Sequence, residues 1–128
     1  MNYACLVYVD ESMLHELPAD EEARFRRETA ACEEELRRSG YLVSSTRLSP
    51  ARNTVTLRVR DGRMTADDGP GRPAARRELT DILVVEARDL NDALRVASRH
   101  PLGRIGVIRV RPVARRDDSD GNGFPDRG

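Results

Sequence analysis

The chain has 128 residues, enough for one domain with a modest core of its own. Its 22 basic residues balance 22 acidic ones, and a formal net charge of zero argues against nucleic acid, which selects a net basic face. Hydrophobic residues make up 38% and aromatic residues 4%, which points to a small core of Val, Leu, Ile and Ala, and no apolar run approaches the roughly 20 residues that span a bilayer.

Tyr3 to Val9 is a continuous apolar run and predicts a strand buried on both faces. Asp10 to Leu17 reads as a loop or short turn. Pro18 suits a helix start, and Asp20, Glu21 and Glu22 favour the positive end of the helix dipole. Phe25, Thr29, Cys32 and Leu36 then fall on one helical face, and Gly40 supplies the stop, so the spacing predicts a helix over about Pro18 to Ser39. Tyr41 to Leu48 reads as a second strand. Ser49 to Asn53 is a turn. Thr54 to Arg60 alternates between apolar and polar residues, Asp61-Gly62 is a hairpin signal, and Arg63 to Ala66 forms the return arm. Asp67 to Arg77, rich in Gly, Pro and Arg, reads as a loop.

Glu78 to Ala87 predicts a strand with Ile82 and Val84 on one face and Leu83 and Val85 on the other. Asp89 can cap a helix whose buried face is Leu90, Ala93, Leu94 and Ala97, ended by His100-Pro101. Ile105 to Val113 is the last strand. One domain over 1–113 and a polar, disordered tail over 114–128 follow.

The order is strand, helix, strand, hairpin, strand, helix, strand. Right-handed crossovers place both helices on one face of an antiparallel sheet, an α+β, ferredoxin-like arrangement. The opposite face carries too many apolar residues to meet water, so a partner is expected, most simply a second copy in a homodimer.

Cys5 and Cys32 are the only cysteines, and they read as reduced, buried thiols without metal-type spacing. The opening Met1 to Cys5 has no basic n-region, so no signal peptide is expected. Location in the cytoplasm and the absence of any membrane partner follow as expectations. All 22 basic residues are arginine, which reads as codon usage or as a preference for bidentate anion contacts.

Several short pieces, in order, carry a resemblance. They are the Tyr3 to Tyr8 strand, Leu17 to Glu21, Glu34-Glu35-Leu36 leading to Gly40, Thr54-Val55 and Asp61-Gly62-Arg63. Asp68-Gly69-Pro70, the run Asp89 to Leu94, His100-Pro101 and Val110 to Val113 complete it. The chain resembles the YCII-related proteins, in particular the branch named after an Asp-Gly-Pro-Phe motif. The resemblance implies a dimeric α/β-barrel of ferredoxin-like subunits, each with a cleft between sheet and helices. It implies little chemistry. The wider superfamily includes small isomerases, dehalogenases, and monooxygenases and cyclases of antibiotic pathways. Some members of this branch are encoded beside extracytoplasmic-function sigma factors.

The chain departs from that pattern at four places. Gly71 replaces the motif Phe, Thr80-Asp81 replaces a Gly-Gly pair, and Arg109 replaces an acid in the final strand. The first-helix position at which related proteins carry a proposed catalytic His falls near Thr29.

Three residues are candidates for catalysis. Asp68, beside Asp67 in the Gly-Pro loop, is a candidate general base, with turn chemistry as the competing reading. His100 is a candidate acid–base or ligand-orienting group, competing with a favourable interaction at the end of its own helix. Arg109, sharing a sheet face with Arg111, could hold an anionic oxygen, competing with an interface salt bridge. His15 reads as plain surface. No sequence motif indicates a metal, nucleotide or other cofactor. The function expected is a small cofactor-free enzyme, isomerase-, cyclase- or lyase-like, acting on a small apolar organic ligand in secondary metabolism. The alternative is a non-catalytic ligand-binding or regulatory dimer associated with a sigma factor.

Overall fold

A computed structural model of the chain describes residues 1–69 and 76–115. β1 (Asn2–Val9) buries every second side chain, and Tyr3, Cys5, Val7 and Val9 form the centre of the core. A one-turn helix, α1 (Glu11–His15), follows where a loop was expected, because the Asp10 carboxylate accepts the Ser12 N–H and caps it. α2 (Ala19–Arg38) opens on Asp20, Glu21 and Glu22. It closes with Gly40 at a φ of 86°, and Tyr41 N–H donates back to the Leu36 carbonyl, the closure that a left-handed glycine allows. Leu36, fully buried on the inner face of α2, contributes about 1.5–3 kcal/mol through its removal from water.

β2 (Leu42–Arg47) leads through a 3₁₀ turn to β3 (Val55–Arg60) and β4 (Arg63–Asp68). Asp61 and Gly62 both take positive φ, 52° and 77°, as a two-residue hairpin turn of the right hand requires. The return arm runs to Asp68, so Asp67 and Asp68 are strand residues and not loop residues. The remainder of the expected loop, 70–75, and the expected tail at 116–128 lie outside the described residues. β5 (Glu78–Glu86), α3 (Leu90–Ala97) and β6 (Gly106–Pro112) complete the chain.

The four-stranded sheet has the order β2-β5-β1-β6 with every neighbouring pair antiparallel, which is the ferredoxin-like topology. β3 and β4 form a separate two-stranded ribbon. Leu36 of α2 and Ala93 and Val96 of α3 join one core with Cys5 and Val7, so both long helices cover the same sheet face.

The inner face of α3 differs from the expected one. Leu90 and Leu94 are both 47% exposed, while Asp92, Ala93 and Val96 are buried. Asp92 is buried under its own partners, accepting hydrogen bonds from the Arg88 backbone and from the half-exposed or exposed side chains of Arg95 and Arg88. On the other side of the sheet, Leu6, Tyr8, Ile82 and Val84 lie on the face that no helix covers.

Candidate functional site

β5 carries one extra residue opposite β1. Val7 pairs with Asp81 and Tyr8 pairs with Leu79, which leaves Thr80 as a bulge. A bulge re-aims side chains locally. Here Thr80 and Asp81, although consecutive, are both buried and both line a single cleft under α2. These are the residues that stand where the resemblance expects two glycines.

The cleft encloses about 220 Å³. Leu14 of α1, Phe25 of α2, Leu48, Pro50 and Leu102 give it an apolar wall, and His15 sits at the exposed rim. Beside it lies a more open polar compartment lined by Arg26, Glu33, Ser45 and Arg47. Arg26, Thr29, Arg47 and Asp81 line both, and so stand between the two.

Its floor is built from groups taken out of water. The Asp81 side chain is 5% exposed, and Arg47, its cross-strand neighbour, donates to it over a long 3.4 Å contact. Thr29 is 4% exposed and its hydroxyl has no hydrogen-bond partner among the described residues. A helical threonine commonly returns its hydroxyl to the carbonyl one turn back. Thr29 does not, and a buried unmet hydroxyl costs about 1–3 kcal/mol. Glu33 is held by His100, whose Nε2 lies 2.7 Å from the carboxylate. That hydrogen bond keeps the Glu33 carboxyl below the usual carboxylate range against the opposing effect of burial, and Ser45 and Arg47 act in the same direction as His100.

The three residues singled out in the sequence are not brought together. Asp68 is exposed at the end of β4, paired with Val55 on the hairpin. His100 is buried; its Nδ1 accepts the Leu102 N–H, capping the 3₁₀ turn Pro101–Arg104. It reaches the cleft only through Glu33. Arg109 lies on the outward face of the sheet, with its guanidinium 5.2 Å from the centre of the Tyr8 ring. The outward placement follows from strand alternation, since Ile108 and Val110 take the inward positions. Gly71 is outside the described residues.

Sequence reasoning marked Thr29 and Thr80-Asp81 as departures from the family pattern without counting them as site residues, and it missed Arg47 and the rim position of His15. A signal existed for Asp81. It falls in register with Leu83 and Val85, so a carboxylate sits on the core face of an apolar strand. Among the described residues, no three His, Cys, Asp or Glu side chains are placed to share a metal ion, and no helix is long and apolar enough to cross a membrane.

No curated protein matches the chain significantly. The YCII-related domain matches residues 1–116, which takes in every strand and helix of the fold and the whole of the cleft. The chain belongs to the YCII-related family.

Proposed function

We propose that the chain is a cofactor-independent acid–base enzyme, isomerase-, cyclase- or lyase-like, acting on a small, mostly apolar organic molecule held in the cleft under α2. The observation that carries this reading is the floor of the cleft, where the buried Asp81 carboxylate and the unpartnered Thr29 hydroxyl meet an apolar wall. Pockets of that kind, apolar with a few convergent polar groups, are where small substrates bind. Asp81 and Thr29 hold the polar end of the substrate. Phe25 and Leu14 hold its body. His15, at the rim, exchanges the proton, since imidazole is the side chain that changes charge near neutral pH.

A second copy covers the outward sheet face with its apolar Leu6, Tyr8, Ile82 and Val84, giving a homodimer. The protein works in the cytoplasm, where Cys5 and Cys32 stay as thiols; burial pushes the Cys5 thiol up to about 11, which keeps it unreactive. Secondary metabolism is the setting that the superfamily resemblance favours.

Turnover of a panel of small cyclic and aromatic substrates tests the reading. His15→Ala is expected to lower kcat by about 10²-fold or more while the fold is retained. Unchanged turnover in both His15→Ala and Asp81→Asn would sink it. The separation of Asp68, His100 and Arg109 favours a second reading, a non-catalytic ligand-binding or regulatory dimer linked to a sigma factor. It predicts a sigma factor or its partner on pull-down and no turnover of any substrate.

A further inference from the structure

The charges around the cleft are distributed unevenly with depth. Asp81, on the floor, and Glu33, in the neighbouring compartment, have side chains 5% and 17% exposed. The two arginines that reach the cleft, Arg26 and Arg47, are 64% and 57% exposed. Arg26 is already paired with Glu22 at 3.2 Å. His100, bonded through Nδ1 to the Leu102 N–H, faces Glu33 with Nε2. Charges near the surface are screened within about 10 Å at 0.1 M salt, whereas buried ones are screened far less. Across the cleft and its neighbour the carboxylates Glu11, Glu22, Glu33 and Asp81 outnumber Arg26 and Arg47, so the lining is net negative even though the chain as a whole is neutral.

Asp81 also has capacity to spare. A carboxylate accepts at about four lone-pair positions. Its contact with Arg47, at 3.4 Å to one oxygen, uses one of them weakly. Thr29 adds a buried hydroxyl that no group among the described residues satisfies. Asp81 demands donors from whatever enters, and the Thr29 hydroxyl can accept from the same group. A carboxylate or phosphate ligand brings no donor to Asp81 and meets its charge at close range.

We propose that this cleft selects a small molecule bearing a basic nitrogen, a primary or secondary ammonium on a single-ring or short apolar body. The ammonium donates to Asp81 and to the Thr29 hydroxyl oxygen, and the body lies along Phe25 and Leu14. The volume of about 220 Å³ is below the roughly 300–1,000 Å³ of drug-sized pockets, which limits the body to about one ring. The inference rests on the cleft named above as the binding site but not on catalysis.

Isothermal titration of the full chain with three probes of matched shape tests it: 2-phenylethylamine, 2-phenylethanol and 3-phenylpropanoate. The amine is expected to bind at least about tenfold tighter than either of the others, a difference of about 1.4 kcal/mol. Asp81→Asn is expected to remove the preference of amine over alcohol. Thr29→Val is expected to weaken amine binding several-fold, and Thr29→Ser, which keeps the hydroxyl, to restore it. The serine variant guards against a folding defect. The proposal is overturned if the carboxylate binds as tightly as the amine, if the preference survives Asp81→Asn, or if none of the probes binds. Amine binding that depends on Asp81, with turnover indifferent to His15→Ala, would leave the ligand class standing and remove the catalytic reading. Turnover of an anionic substrate, dependent on His15 and indifferent to Asp81, would do the reverse.

Discussion

His100 Nε2 stands 2.7 Å from Glu33 Oε2 and ties the loop after α3 to the middle of α2. Its other nitrogen accepts the Leu102 N–H, so the hydrogen sits on Nε2 and the neutral ring donates to the carboxylate. His100→Ala loses both bonds and leaves Glu33 partly buried without its main donor. A loss of about 1–3 kcal/mol is expected in urea denaturation. His100→Asn can still cap the 3₁₀ turn, and should lose less. Equal losses in the two variants would mean that the cap contributes nothing.

Acid should release α3 late. Hydrogen bonds from the Arg88 backbone, foremost, and from the Arg95 side chain hold the Asp92 carboxyl at about 2, below its ordinary 3.8. A carboxyl with a lowered folded-state value stabilises the fold at pH above its unfolded value, and that contribution fades as pH falls towards the folded value. Between about pH 4 and pH 2 the Tm of the native chain should therefore drop more steeply than that of Asp92→Asn, with the two curves converging at the acid end. Parallel curves across that window would refute the role of Asp92.

Gly106 opens β6 directly against β1. A methyl group there would stand 2.3 Å from the Tyr8 carbonyl oxygen and 2.9 Å from Val9 Cγ2. Backbone cannot yield as a side-chain tip can, so Gly106→Ala should cost about 1–3 kcal/mol or more. Gly103→Ala meets only the mobile end of Ile108, at 3.3 Å, and should stay within about 0.5 kcal/mol of the native chain. Chemical denaturation of the two variants side by side separates the cases.

The helices offer a similar contrast. Leu36→Ala removes a fully buried side chain and should cost about 2–5 kcal/mol. Leu94→Ala, on the half-exposed side of α3, should cost less than about 1 kcal/mol. The reverse order would restore the leucine face to the core.

That contrast also shows where the sequence was readable. α2 carried redundant signals, acids at its start, an apolar stripe and Gly40 at its end, and its bounds came out within a residue or so. α3 carried a false one. Leu90 and Leu94, four residues apart, imitate a buried face, but Asp92, Ala93 and Val96 are the buried residues, and which side of an eight-residue helix meets the core is set by how it docks on the sheet. The hairpin turn at Asp61-Gly62 was legible because only a few residues accept positive φ. The cleft was not. Its floor depends on a bulge at Thr80, and a bulge is a property of two strands in register, not of either strand alone. Thr29 stood out in the sequence only as a residue unable to act as the base that related proteins carry near that position, and its buried, unmet hydroxyl exists only once the sheet lies beneath it.

The β3–β4 ribbon lies between strands that do not need it. β2 and β5 pair directly, Thr46 opposite Ile82, and the segment joining them leaves the sheet and comes back. Its ladder is internal, closed at the base by the Gly69 N–H on the Thr54 carbonyl, and Val55, Leu57, Val59 and Met64 remain exposed along it. Changes of length there leave the register of the four-stranded sheet untouched. Evolution can therefore lengthen, trim or resurface this arm independently of the core, and relatives that share the cleft can differ in what they present at its far end.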